Sequence, residues 1–424
     1  MNKAKNIFLI ALLFCLFTQA AHAEEMLTWE DCVKEAQKNN PDLISALESI
    51  KQEMAAKDIT ASALFPQASG TVSASKAEAS TATSSSKSDA YSYGASGSQL
   101  IFDGFKTIND TKAASENVKA AKEAYRFTSF QVRFNLRSAF VNLLTAQELM
   151  RVAEEIVKIR RDNLMLITLQ YMSGLEHRGA LLTAEANMAQ ANFGLSQAKR
   201  SIEYAQVQLL KEMGREQFSQ VLAEGDFTVK DCPKDKPDFI ALIADNPSIL
   251  QADFKKNAAS YDIKSAYGNF SPELSGTGAL SKNSSQWPPR NNQWNMGVSL
   301  SMPIFEGGLR TAQLKKARAA YNQAEADEKS TRDAAIVSLE QTWIKLQDAM
   351  DMVGVQNKTL LAAQERSNIA KAQYSTGFIN FDNWIIIEND LVSAKKAYLE
   401  SQFDALSAEA SWVQAKGETL EYAQ

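Results

Sequence analysis

The chain has 424 residues, with 45 Lys+Arg against 50 Asp+Glu, a formal net charge of −5 and 45% hydrophobic residues. That mild acidity excludes a nucleic-acid surface, which needs a basic face, and gives no attraction to anionic lipid. Two histidines and three cysteines leave no multi-histidine metal site to assemble, no Ser-His-Asp arrangement is recognisable, and neither GxxxxGK[ST] nor GxGxxG occurs, so no cofactor and no catalysis are expected.

Residues 1–23 have the grammar of a secretion signal. Lys3 and Lys5 precede an apolar run at 7–17, and Ala21-His22-Ala23 offers a small-x-small cleavage site before Glu24. The run falls short of the ~18 apolar residues of a spanning helix, so cleavage is expected over a retained anchor. Phe14 before Cys15 is too large for a lipid-modification site. Removal of the signal leaves 43 basic against 50 acidic residues, a net of −7, and His177 as the sole histidine. It also leaves Cys32 and Cys232 in an oxidising compartment, either paired as a disulfide or kept as two buried thiols.

The mature chain reads as two copies of one unit, at 24–231 and 232–424. "FPQASG" at 65–70 recurs as "SPELSG" at 271–276, "LIFDG" at 100–104 as "PIFEG" at 303–307, and Asn40-Pro41 as Asn246-Pro247. The copies meet near "CPKDKP" at 232–237.

In the first copy a helical stretch at about 28–60 ends at Pro66, and a β-hairpin is expected over 63–104. Tyr91, Tyr93, Ala95, Gly97, Gln99 and Ile101 alternate there with Ser92, Gly94, Ser96, Ser98 and Phe102. One face is apolar or aromatic and the other small and polar over about eleven residues, which suits a membrane strand with lipid on one side and a wet lumen on the other. The polar segment 77–88 is expected to be the loop between the strands. Long helices fill 107–215. Leu149, Val152, Ile156 and Ile159 form a seam spaced 3, 4, 3, and 107–172, free of proline, would reach roughly 100 Å as one helix. Such a helix is a rod or a tube wall. It breaks at "YMSGLEHRGAL", 171–181, where Gly174 frees the backbone and Glu176, His177 and Arg178 form an exposed tip.

The second copy follows the same order: a helix at about 238–266, a hairpin over 269–306 and long helices over 308–418. Trp294, Met296, Val298, Leu300, Met302 and Ile304 share one strand face, with Asn295, Gly297, Ser299, Ser301 and Pro303 on the other. The loop 282–292 carries Trp287, so that Trp287, Trp294, Tyr91 and Tyr93 are expected at the lipid–water interface. Ile336, Leu339, Trp343, Leu346, Met350 and Val353 make a seam spaced 3, 4, 3, 4, 3. The helix break recurs as "YSTGFINFDNW", 374–384, with Gly377 and Phe378 at the tip. Asp382 beside Asn383 either narrows a pore or caps the returning helix.

Four strands cannot close a barrel in lipid, and an open edge would leave backbone groups unpaired at several kcal/mol each. An oligomer is therefore expected. A pore-free trimeric coiled-coil spacer or adhesin is the competing reading, but it has no use for an apolar strand face repeated four times.

The ordered set of "P-x-x-x-G" and "IF-[DE]-G" around each strand pair, the "Y-x-x-G" breaks, and the "AEANMAQA" and "ENDLVSAKKAY" runs after them resembles the TolC-like outer-membrane efflux family over essentially the whole mature chain. The resemblance implies a mainly α fold with a membrane β-barrel: a homotrimeric α-helical barrel continuing a shared twelve-strand β-barrel, four strands per protomer. It implies passive export of small molecules or proteins, a periplasmic adaptor, an inner-membrane RND, ABC or MFS transporter, and outer-membrane lipid around the strands. Tyr171, Tyr374, Asp382 and Asn383 would belong to the periplasmic gate, and Gly174, Glu176, His177, Arg178, Gly377 and Phe378 to the tips that meet the adaptor. Asn383 and Ile386 occupy positions where the family usually shows aspartate, so the resemblance implies a less acidic constriction, with Asp382 as its acid.

Overall fold

The computed structural model describes residues 25–81, 84–227 and 235–422. The expected signal and Cys232 lie outside the described residues. Strand β1 (Glu25–Thr28) runs into α1 (Trp29–Asn39), and α2 (Pro41–Ser62) leads to the long strands β2 (Gln67–Thr81) and β3 (Ser84–Phe102). Helices α3 (Lys106–Met172) and α4 (Arg178–Met213) follow, then β4 (Val221–Glu224). The second half contains α5 (Phe239–Ile243), α6 (Pro247–Gly268), β5 (Glu273–Ser284), β6 (Asn291–Ser301), α7 (Leu309–Ser375) and α8 (Phe381–Ala415), and closes on a 3-10 turn at Leu420–Tyr422. Helices α3 and α7 each have 67 residues. The chain divides into two compact units, one of Met1–Ile44, Ser129–Asp238 and Ser338–Gln424, the other of Ser45–Thr128 and Phe239–Val337.

The second of these units carries an antiparallel sheet of order β2-β3-β5-β6. Its register aligns side chains in rows. Val72, Tyr93, Lys282 and Asn292 form one row, Gly70, Ala95, Leu280 and Trp294 the next on the same face, and Ala68, Gly97, Gly278 and Met296 the third. Because side chains alternate along a strand, all four strands turn their apolar residues to one side. Val72, Leu280, Trp294, Met296, Val298 and Leu300 are 67% to 85% exposed there. The opposite side carries hydroxyls that pair across β2 and β3, Ser69 with Ser96 at 2.9 Å and Ser73 with Ser92 at 2.7 Å. In this unit Arg126 of α3 pairs with Asp245, in the turn between α5 and α6, at 3.0 Å, and Lys256 of α6 with Glu328 of α7 at 3.2 Å.

Segment 77–88, expected as a loop, corrects that expectation. Strand β2 continues to Thr81 and β3 begins at Ser84, so the ladder runs through most of it. Threonine and serine suit a solvated strand, and the cross-strand ion pairs Lys76–Asp89 (3.7 Å) and Glu78–Lys87 (3.3 Å) hold the extension in register. Strands β2 and β3 therefore have 15 and 19 residues rather than about eleven, whereas β5 and β6 have 12 and 11.

The first unit holds the largest fully buried side chains. Leu136, Phe140 and Leu143 of α3, Leu209, Leu210 and Met213 of α4, Leu339, Trp343 and Leu346 of α7, and Leu406 and Trp412 of α8 are buried. The Trp343 and Trp412 rings lie 5.3 Å apart. Both heptad-like seams thus face inward. A short parallel pair of β1 with β4 was not expected from the sequence. Arg215 anchors it, donating to Glu25 at 2.7 Å and to Glu35 at 2.5 Å. Hydrogen bonds from Arg215 hold the Glu25 carboxyl below its ordinary pKa. Cys32 is buried on α1 with no disulfide partner among the described residues, and burial pushes the pKa of its thiol up to about 12.

Candidate functional site

Both long helices end in the same way. At the end of α3 the Leu175 N–H donates to the Gln170 carbonyl at 2.9 Å and the Gly174 N–H to the Tyr171 carbonyl at 3.1 Å. At the end of α7 the Phe378 N–H donates to Gln373 at 2.8 Å and the Gly377 N–H to Tyr374 at 3.0 Å. This 6→1 and 5→2 pairing is a Schellman termination, which puts the residue after the helix in the left-handed region. Gly174 and Gly377 occupy it at φ of 74° and 79°, where a side chain would be strained.

The returning helices restart alike as well. The Ala180 N–H donates to His177 Nδ1 at 3.2 Å, and the Asn383 N–H donates to Asn380 Oδ1 at 3.0 Å. Asn380 is therefore the cap of α8, and the capping role weighed for Asp382 does not hold: Asp382 is an exposed acid in the first turn. His177 caps α4 while remaining exposed.

The two tips meet through one cluster. Ile167 of α3, Ala180 and Ala184 of α4, Ala370 and Tyr374 of α7, and Phe381 and Trp384 of α8 are buried together. The small alanines admit the rings. Tyr374 stacks on Trp384 at 4.5 Å and 6°, and Phe381 meets Trp384 edge-on at 6.4 Å. The Tyr374 hydroxyl donates to Glu176 Oε1 at 2.9 Å, joining residues 198 apart in sequence. Burial first, and the Glu176 carboxylate second, push the Tyr374 phenol above its ordinary pKa, so it stays a donor at neutral pH.

Of the residues singled out in the sequence, Tyr374 and Glu176 come together here. Tyr171, Gly174, His177, Arg178, Gly377, Phe378, Asp382 and Asn383 are exposed, with Phe378 84% exposed, and Tyr171 takes no part in the buried cluster. Glu176 is half-buried and engaged, so it is no longer simply a free tip residue. At the sheet, Trp287 lies edge-on to Tyr91 at 6.2 Å and to Tyr93 at 6.3 Å, on the apolar face that also carries Trp294.

Inward from the tips lies a polar network that the sequence reading missed. Glu388 of α8 is 3% exposed and accepts from Ser367 Oγ at 2.5 Å and from Asn163 Nδ2 at 3.1 Å. Arg160 of α3, also buried, donates from Nη2 to Asn389 Oδ1 at 2.6 Å. Burial pushes the Arg160 guanidinium below its ordinary pKa, with Glu388 opposing the shift. A signal was present: Asn163 continues the seam 149, 152, 156, 159 at the next spacing of four, so a polar side chain sat in a buried phase.

A family model described as "Outer membrane efflux protein" matches residues 32–215 and again 241–418. The outer membrane efflux protein BepC of Brucella suis is 22% identical over 405 residues, covering 95% of this chain and 87% of that protein. TolC of Escherichia coli K12 is 21% identical over 228 residues, covering 49% and 45%. Among solved structures, a membrane protein from Pseudomonas aeruginosa superposes with a TM-score of 0.83 at 20% identity, covering 91% of this chain and 93% of that one. The Campylobacter jejuni CmeC outer membrane channel superposes at 0.80 and 19% identity, covering 92% and 85%. The fold is shared along nearly the whole length, and a model that matches each half in turn makes this chain a member of the outer membrane efflux protein family.

Proposed function

We propose that three copies of this outer-membrane channel protein form a passive export duct. The observation that carries the reading is the single apolar face running through β2, β3, β5 and β6, with β2 and β6 left as bare edges. Bare edges in lipid require closure by further copies. Two copies would supply eight strands, a barrel filled by side chains, and three supply twelve around the small polar inner residues Gly94, Ser96 and Ser98. Tyr91, Tyr93, Trp287 and Trp294 then form the aromatic belt at the lipid surface, and α3, α4, α7 and α8 form the periplasmic wall.

In this duct the two tips close the periplasmic mouth. The Tyr374–Glu176 bond pins the second hairpin to the first, the Trp384 stack ties α7 to α8 within the second, and Asp382, Asn383 and Ile386, exposed on α8, line the constriction with one acid per copy. Tyr171 faces a neighbouring copy. Met172, Leu175 and Phe378 are 77% to 84% exposed at the tips, an apolar surface suited to docking a periplasmic adaptor next to Gly174, His177, Arg178 and Gly377. The adaptor in turn links to an energised RND, ABC or MFS transporter, which selects small-molecule or protein cargo. A secreted enzyme has no support in the geometry of the tips.

Single-channel recording of the purified protein in planar bilayers tests the duct. Discrete conductance from a heat-resistant trimer is expected, with Asp382→Ala raising conductance and weakening block by divalent cations. A protein that inserts without conducting sinks the proposal.

A further inference from the structure

The apolar face of the sheet carries a trough of about 680 Å³ between two of its rows. The row of Val72, Tyr93, Lys282 and Asn292 makes one wall, and the row that ends in Leu280 and Trp294 makes the other. Side chains of the row between them point to the opposite face, so it supplies only backbone to the floor. Rows on one face stand about 7 Å apart along a strand, wide enough for one acyl chain. The lining is apolar except at Lys282 and Asn292. Lys282 is exposed and enters no ion pair among the described residues. Its ladder neighbours Tyr93 and Asn292 are uncharged, as are Tyr91, Ala95 and Trp294 on the diagonals. Strand β5 lies inside the sheet, so these neighbours are the same however the edges are closed. The acids farther out on this face are already met, Asp89 by Lys76 at 3.7 Å and Glu78 by Lys87 at 3.3 Å. Trp287 meets Tyr91 and Tyr93 edge-on, so the loop after β5 folds toward the same face. That loop ends in a second exposed cation, Arg290, which also has no ion pair among the described residues.

We propose that the trough is a binding site for an anionic phospholipid, with one acyl chain between the two rows and an uncompensated phosphate on Lys282 and Asn292. The site rests on the duct reading, which turns this face to lipid. A phosphate monoester supplies the counter-charge that Lys282 lacks, through a charge-assisted hydrogen bond, whereas the phosphate of phosphatidylcholine is already offset by its own choline. The depth agrees with this. Tyr91, Tyr93 and Trp287 mark the interface at which headgroups lie, and a lysine stem can lie along apolar surface while its ammonium stays at that level. The β5–β6 loop lies at the strand ends away from the helices, so in the duct the lipid belongs to the outer leaflet. The chain as a whole has a net charge of −5 and gives anionic lipid no general attraction, so a preference must be local to this face.

The test reconstitutes the full-length protein into phosphatidylcholine nanodiscs that hold a minor fraction of either dibrominated phosphatidic acid or dibrominated phosphatidylcholine. Tryptophan quenching reads contact with the brominated chains. Trp287 and Trp294 are 61% and 76% exposed, whereas Trp343, Trp384 and Trp412 are buried, and Trp294→Phe isolates the share that comes from the trough. Quenching by phosphatidic acid should correspond to about fivefold enrichment over phosphatidylcholine. Lys282→Gln should remove the enrichment and Lys282→Arg should keep it. At Gly70 the nearest atom to an added Cβ is the Gly94 carbonyl oxygen at 4.0 Å, so Gly70→Leu fills the trough with the charge intact and should lose most of the enrichment. Equal quenching by the two lipids, enrichment that survives Lys282→Gln, or enrichment fully kept in Gly70→Leu overturns the proposal. Should Lys282→Gln fail to assemble, Gly70→Leu decides. Absence of quenching by either lipid means that the apolar face does not meet lipid, which overturns the duct reading and the site with it.

Discussion

Tyr374 does two jobs with one side chain: its ring stacks on Trp384 and its hydroxyl reaches Glu176 on the other hairpin. Tyr374→Phe keeps the stack and removes the bond, leaving Glu176 short of a donor. A loss of about 1–2 kcal/mol is expected, read as a lower melting temperature with the oligomer intact and, in the proposed duct, as a more frequently open channel in planar bilayers. The pH dependence has a definite sign. The folded phenol titrates above its unfolded value, so its contribution is fully present below about pH 10 and is lost as pH rises through the folded value. Melting curves of the native protein and of Tyr374→Phe should therefore converge above about pH 10 and stay separated by a constant gap at pH 6–9. A gap that persists unchanged at high pH would assign the effect to packing alone.

At the scale of elements, two glycines with nearly equal φ make a controlled comparison. Gly377 at 79° has nothing within 4 Å of where a Cβ would sit, whereas at Gly214, at 78°, a Cβ would fall 2.3 Å from the Asn39 carbonyl oxygen. Gly377→Ala meets only backbone strain, about 1 kcal/mol. Gly214→Ala adds a collision between backbones of α1 and the end of α4, so thermal unfolding should show at least about twice the loss. The clamp at Arg215 gives a second expectation. Its bonds hold Glu25 below the ordinary carboxyl value, so that stabilisation is present above the unfolded value and is lost as pH falls through the folded one. Arg215→Ala should cost about 2 kcal/mol at neutral pH and less in acid, and proteolysis of the freed β1 segment measures it. Much of this level was legible beforehand: long periodic helices and strands alternating over ten residues leave a signal many turns deep. The parallel pair of β1 and β4 was not, because four residues each carry no period. The strand that replaced the expected loop at 77–88 was hidden by composition, since serine and threonine read as loop until the partner strand is known. The Arg160–Glu388 network was hidden for a related reason. On an amphipathic helix a lone polar residue looks solvated, and only the seam phase of Asn163 betrays its burial.

At the scale of the whole molecule, the protein is an outer-membrane channel, and the register of β2, β3, β5 and β6 sorts its sheet residue by residue into an apolar face and a small, polar one, which the proposed duct turns to lipid and to lumen. That assignment can be tested at two adjacent positions. Val298 is 71% exposed on the apolar face, and Ser299, next along β6, points to the other side among Ser275 and the inner hydroxyls. Arginine on the lipid face near the bilayer midplane costs about 2–4 kcal/mol, whereas on the lumen face it meets water and costs little. Val298→Arg should therefore depress the yield of heat-resistant oligomer in outer-membrane fractions. Ser299→Arg should assemble normally and instead lower conductance for cations, because each added charge stands in the permeation path. If three copies share one barrel, the Ser299→Arg effect appears as a ring of three charges, and mixed oligomers of native and variant chains should give four discrete conductance levels. Two levels would mean a pore within each copy, which four strands cannot close. Inverted phenotypes for the two substitutions would mean that the apolar face lines the lumen, and the lipid and lumen sides of the sheet would have to be exchanged.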